Sequence, residues 1–423
     1  MGGQPAPEGS GDGPVPAGGS GDEVLDLVTR LAELLVAGGY EGTLGSERRL
    51  RAVAAAYGAR AEVSVGAESA VVGVGGRSRV VARPPEVPQL DRVSALKPWL
   101  REVTAGRLPV AEARRRLEAI AASPAPYRGW ARVTGTVLFS VGFGMSIQPT
   151  WQQVWITGVL GVVVGLVMEA VRARGASGRV APLLCSVLVG VLVLGVERAG
   201  WVSGGTIQLM VPVLFLFIPG DAITMAVLEV AAGRLTAGAA RLAQSAVALV
   251  TLAFGPVLAA AALGIDQREI FDVPVAPDFG PVAGWLGWAV FAVGVQLVFG
   301  MRRGDLPWAL LLVLGTYGVQ LLAVRGFGTL AGTFLAAAVM AFTAVGLGAR
   351  QRTPPAYVLY LGAFFVLTPG SHGLRGLEAW VGGHPVQGLH DIAGMVALMV
   401  AIALGMLVGV TLRRGPAPAG ESA

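Results

Sequence analysis

Ile218-Pro219-Gly220-Asp221 puts a carboxylate directly behind a Pro-Gly pair, inside a stretch otherwise made of Leu, Val, Ile and Phe. Glu229 follows about two helical turns later, and Arg241 stands in the next apolar run. A second pair, Thr368-Pro369-Gly370-Ser371, leads into His372, and Asp391 opens the last apolar run beside His390. Ionisable side chains at membrane depth are expensive, so those found there default to functional candidates. Asp221, Glu229, His372 and Asp391 are accordingly candidates for carrying a proton. Candidates for contacting a substrate are Pro219, Gly220, Asp221, Pro369, Gly370, Ser371, Arg241 and Asp391. A carboxylate and a guanidinium lining one cavity would meet the ammonium and the carboxylate of a zwitterion. The alternative places Arg241 and Asp391 at the membrane interfaces, with the arginine snorkelling. For the three histidines, His372, His384 and His390, the alternative is a solvated loop. They lack Cys or carboxylate partners at metal-ligand spacing, and the one cysteine, Cys185, lies in an apolar run. No metal and no cofactor are expected, and no catalytic group stands out.

These residues depend on elements that composition already constrains. The 423 residues are 54% hydrophobic and 14% charged, with a mean hydropathy of +0.65. Soluble domains carry about 25% charged residues, so much of this chain is not built to face water. The basic residues, 31 Arg and Lys97, give a pI near 9.9. Beyond position 130 most of the arginines fall in short connections between apolar runs, where orientation in a bilayer explains them and nucleic acid does not. No GxxxxGK[ST] is present, so an ATP-driven cycle is not expected.

Residues 1–21 read as a disordered Gly/Pro-rich tail with no apolar signal-peptide core, which predicts that the first domain stays in the cytoplasm. Residues 22–128 predict a small soluble α+β domain. Its helices are expected over Glu23–Val36, Ser46–Tyr57, Gln89–Thr104 and Pro109–Ala122, with three short strands at 61–65, 70–74 and 80–82. Ten apolar runs follow, at about 131–149, 151–171, 180–196, 204–219, 237–264, 281–300, 305–323, 329–348, 354–369 and 388–412. Residues 129–264 and 281–412 each hold five runs; 265–280 is an acidic outer loop (Asp266, Glu269, Asp272, Asp278), and 413–423 an inner tail. With the first domain inside, inner connections hold eleven arginines and outer ones only Arg198, Arg268, Arg325 and Arg375.

The fourth and ninth runs resemble each other. Phe215-x-x-x-Pro219-Gly220 matches Phe365-x-x-x-Pro369-Gly370 at an offset of 150, which also pairs Gly233 with Gly383, Gly238 with Gly388, and the helix breakers Pro212 and Gly362. Five spans per unit force the second copy upside down. The expected fold is thus all-α and membrane-embedded: ten transmembrane helices as two inverted five-helix repeats, with substrate where the broken helices meet. The alternative is that each Pro-Gly simply ends a helix. Gly161-x-x-x-Gly165 and Gly405-x-x-x-Gly409 predict close helix packing.

The helical-strand-helical first domain ends in Ala111-Glu112-Ala113 and Leu117-Glu118-Ala119-Ile120, followed by Tyr127 and Trp130. With the two Pro-Gly corners in two five-helix halves, this order resembles the threonine/serine exporter family of the bacterial inner membrane, over residues 23 to about 412. The resemblance implies a secondary exporter of threonine and serine, proton-coupled as the simplest energy source, whose partners are small amino acids, protons and the lipid bilayer. Two-subunit relatives linked to succinate leave a dicarboxylate cargo as an alternative, and a homo-oligomer stays open. A third reading, an anchored hydrolase or sensor, is opposed by the absence of His, Cys and a nucleophile–base pair from 22–128.

Overall fold

The computed structural model describes residues 20–38, 42–83, 89–174, 180–201, 206–266, 278–280, 282–367, 369–381 and 383–414. The expected N-terminal tail, Glu269 and Asp272, and the side chains of Pro369 and Ser371 lie outside the described residues. The chain is mostly helical with one small sheet, and it divides into two compact units: Met1–Glu86 with Ala95–Ser123, and Val87–Ser94 with Pro124–Ala423.

In the first unit, α1 (Gly21–Gly38) starts at a reciprocal cap. Ser20 Oγ accepts the Glu23 amide at 3.3 Å while the Glu23 carboxylate accepts the Ser20 amide at 2.9 Å. Its Leu and Val stripe, Val24 to Val36, is buried against α2 (Gly42–Ala56), the sheet and α4 (Val110–Ala121). The sheet runs β1 (Ala61–Val65), β2 (Ser69–Val74), β3 (Arg77–Ala82), antiparallel throughout. β3 begins three residues before its expected start, because Arg77, Ser78 and Arg79 form an exposed edge without apolar alternation. The edge arginines Arg77 and Arg79 pair with Asp22 and Asp26 of α1. The Tyr57 hydroxyl donates to Leu108 O at 3.0 Å, and burial pushes this phenol up to about 12. α3 (Leu90–Thr104) carries Trp99, whose indole donates to Ala113 O at 2.9 Å.

The second unit holds α5 (Gly129–Ile147), α6 (Trp151–Ala173), α7 (Ala181–Arg198), α8 (Thr206–Leu214), α9 (Gly220–Ala231), α10 (Leu235–Leu263), α11 (Val282–Val298), α12 (Leu306–Gly348), α13 (Ala356–Val366), α14 (Pro369–Val381) and α15 (Pro385–Arg414). Among the described residues five helices are long and apolar enough to cross a membrane, or six if the bent α8–α9 pair is one span. α11 and α13 are shorter apolar helices. The pattern of apolar runs did not mark α9 and α14 as helices, since each carries charge at its start or along its length: Asp221 and Glu229 in α9, His372 and Arg375 in α14.

One of the long helices is not straight. At Gly328 the backbone takes φ 79° and ψ 174°, in the gap expected between the runs ending at 323 and starting at 329. A Cβ on Gly332 would stand 2.6 Å from the Val324 amide nitrogen. Eight residues of straight helix would separate those positions by about 12 Å, so α12 folds back on itself.

Glycines set the closest approaches. α5 and α11 run antiparallel, with Gly135 and Gly142 facing Leu297 and Phe291, and Gly287 and Gly294 facing Gly142 and Phe139. Gly161 and Gly165 lie 3.1 Å, measured from an added Cβ, from the Cα atoms of Val137 and Val133 of α5, and Gly405 and Gly409 abut the Phe334 and Ala338 carbonyls of α12. Both small-xxx-small pairs therefore do what their spacing predicts.

Candidate functional site

The Pro219 corner is an inverse γ-turn. Pro219 takes φ −81° and ψ 49°, and the Gly220 amide donates to Ile218 O at 2.9 Å. The helix ahead of the corner ends in a single 3₁₀ turn, Phe215–Phe217, and its axis meets that of α9 at 62°. Proline has no amide to continue the helix and glycine tolerates the tight approach, so sequence alone sets this break.

Past the corner, positions 150 apart share their backbone. Two residues past the end of α9 stands Gly233 with φ 78°, and two past the end of α14 stands Gly383 with φ 84°. The Arg234 amide bonds Glu229 O at 2.8 Å, and the His384 amide bonds Ala379 O at 2.9 Å. Gly238 and Gly388 then donate to Arg234 O and His384 O, both at 3.0 Å. A Cβ on Gly238 would meet Ala226 O at 2.8 Å, and one on Gly376 would meet Gly388 O at 2.8 Å, so the same two positions of each half touch. Gly255 against Ser186 and Gly405 against Phe334 and Ala337 form a further contact at positions 150 apart.

The two halves meet beneath the corners. Phe215 and Phe365, equivalent under the offset, are edge-to-face at 5.3 Å. Phe143 stacks on Phe215 at 3.7 Å, while Phe139 contacts both corner phenylalanines at 5.9 and 5.6 Å. α9 packs on α10 and α15, and α14 packs on α15 and α10, so each short helix bridges both halves.

Charge gathers along these short helices. The Asp221 carboxylate lies over the first amides of α9, within electrostatic reach of Arg241. Arg241 Nε stands 3.2 Å from Glu229 Oε2, and the two side chains are only 11% and 6% exposed. Arg241 is thus held by Glu229 of α9, across the turn at Gly233. Asp391 accepts from Gln387 at 3.2 Å and has His390 Nδ1 at 3.8 Å. Half-buried His372 has Arg375 and Asp391 as charged neighbours. His384 and His390 are exposed. Pro369, Gly370 and Ser371 form the first turn of α14.

Sequence reasoning missed two groups. Arg375 was counted with the outer connections, yet it sits in α14 one turn after His372; the strongly amphipathic spacing of that segment was the available signal. A polar cluster joins α5, α6 and α8: Gln148 Nε2 donates to Thr157 Oγ1 at 2.7 Å and to Gln208 O at 2.9 Å, with Gln148, Gln153 and Thr157 buried. Among the described residues no group of three or more His, Cys, Asp or Glu is arranged to hold a metal.

Comparison with known proteins supplies a family. The threonine/serine exporter family model matches residues 26–264, ending at the left-handed Gly264 that closes α10. A threonine/serine exporter from Corynebacterium glutamicum is 22% identical over 434 aligned positions, covering 92% of this chain and 82% of that protein. No solved structure matches the chain. With more than half its length matched by the family model and several helices long and apolar enough to cross a bilayer, this multi-pass membrane protein belongs to the threonine/serine exporter family.

Proposed function

We propose that the chain exports small amino acids such as threonine and serine across a bacterial inner membrane, by proton-coupled alternating access between two inverted five-helix repeats. The observation that carries this reading is the cross-packing of two equivalent short helices, α9 and α14, each behind a Pro-Gly corner and each lodged against the other half. Paired interrupted helices of this kind place a substrate near the midplane, with helix N-termini available to its carboxylate. Asp221 and Asp391 are the groups for the ammonium or the coupled proton, and Glu229 and His372 the remaining proton candidates.

Further support comes from helix directions. α5 and α11, equivalent in the two halves, run antiparallel, as inverted copies must at their shared axis. A straight 43-residue α12 would extend about 64 Å, twice a hydrocarbon core, whereas the reversal at Gly328 divides it into two lengths suited to one crossing each. In this arrangement the first compact unit is a soluble cytoplasmic domain.

Counterflow of labelled threonine into proteoliposomes tests the reading. Asp221→Asn and Asp391→Asn are each expected to slow uptake by roughly tenfold or more, the scale of one lost charge contact of about 1.4 kcal/mol. Unlabelled serine should compete and succinate should not; undiminished exchange in both variants removes these carboxylates from the mechanism. Orientation is tested by accessibility. Cys185 is the single cysteine and is buried, so new thiols can be labelled cleanly. Gly220→Cys and Gly370→Cys are expected to react from opposite sides of the membrane, and reaction from one side would end the inverted-repeat proposal.

A further inference from the structure

At the start of α5, far along the chain from the Pro-Gly corners, lies a cleft of about 580 Å³. α5 contributes Trp130 and Thr134, the residues ahead of it contribute Tyr127 and Arg128, and α11 with the following turn contributes Gln296 and Arg303. Its floor is fixed. The Tyr127 hydroxyl donates to Met301 O at 2.8 Å and accepts from Gln296 Nε2 at 2.9 Å, so its proton is already committed. Its walls are not satisfied in the same way. The Arg128 and Arg303 side chains are exposed and make no ion pair or hydrogen bond with any described residue. Nearby Glu169 does not neutralise them, since Arg132 holds it through two bonds at 2.6 and 2.8 Å and Arg172 pairs with it as well. Trp130, 72% exposed, stands beside the two cations at the end of an apolar helix.

Two uncommitted guanidiniums and an exposed indole at the end of a membrane helix match the chemistry of the bilayer boundary: indoles settle at headgroup level, and basic pockets between helices take anionic headgroups. We infer that this cleft binds the phosphate headgroup of an anionic phospholipid, with Arg128 and Arg303 on the phosphate and Trp130 against the glycerol and upper acyl region. The site is separate from the transport residues and does not depend on which solute is carried.

Native mass spectrometry of the full chain released from detergent tests this, with phosphatidylglycerol, phosphatidylethanolamine or inorganic phosphate added. The wild type is expected to retain phosphatidylglycerol preferentially. The pair Arg128→Gln with Arg303→Gln should weaken retention by about tenfold or more, at roughly one headgroup contact per arginine. The pair Arg174→Gln with Arg352→Gln removes equal charge elsewhere and should leave retention unchanged. Equal retention of both lipids, equal loss in the two double variants, or capture of inorganic phosphate without lipid would each overturn the assignment.

Discussion

Replacing Glu229 with alanine is expected to destabilise the protein by about 3–5 kcal/mol, the effect of stranding one member of a buried ion pair. The remaining charge, Arg241, is 11% exposed and sits within α10, one of the helices apolar enough to cross a bilayer. A charge in such a place cannot recover water without pulling its helix out of register. Removing both charges, Glu229→Ala with Arg241→Ala, should recover part of the loss, because the buried guanidinium is then gone, while Asp221 loses the cation within its reach. Thermal unfolding of purified protein in one detergent measures all three forms. A single variant as stable as the wild type would show that the pair does not hold α9 against α10. A double variant that is stable but no longer exchanges threonine would give the pair a part in transport beyond its structural one.

The second large effect concerns the α5–α11 seam. A Cβ on Gly142 would stand 2.6 Å from Gly287 O and 2.7 Å from Phe291 Cα. Both obstacles are backbone, so no side-chain rotation relieves the clash and the helices must part. Gly142→Ala is expected to cost about 1–3 kcal/mol, and Gly142→Val more, as overpacking of a closed interface does. Gly315→Ala is the matched control, since that exposed helical glycine has nothing within 4 Å of an added Cβ. There the substitution should be neutral or stabilise by about 0.5–1 kcal/mol through helix propensity. Identical melting temperatures for Gly142→Ala and Gly315→Ala would refute the close approach.

What the sequence reveals and what it hides follow from range. Apolar runs and Pro-Gly breaks are local, so the long apolar helices, the reversal near Gly328 and the paired corners were legible to within a few residues, whereas the charged α9 and α14 were not. The likeness of Gly233 and Gly383 was legible because a left-handed turn leaves a glycine behind at both positions. The partner of Arg241 was not. Glu229 lies twelve positions away across that turn, and only the fold-back of α9 on α10 brings them together. The offset gives only the residue in the matching place of the second half, Asp391, and no partner for the arginine. The seam was hidden for another reason: Gly135 with Gly142, and Gly287 with Gly294, recur every seven residues, outside the four-residue spacing of a small-xxx-small motif.

Positions 150 apart around the two corners share their backbone and differ in their charges. Where the first half has Met225, Glu229 and Arg241, the second has Arg375, Ala379 and Asp391. In the alternating cycle proposed above, inversion exposes one charge set toward each compartment in turn, so the inward-open and outward-open forms are not mirror images in energy. One of them must dominate at rest, and the membrane voltage must act on them unequally. Such a machine has a built-in bias in which side waits for cargo, while the net direction of flow is still set by the gradients it couples.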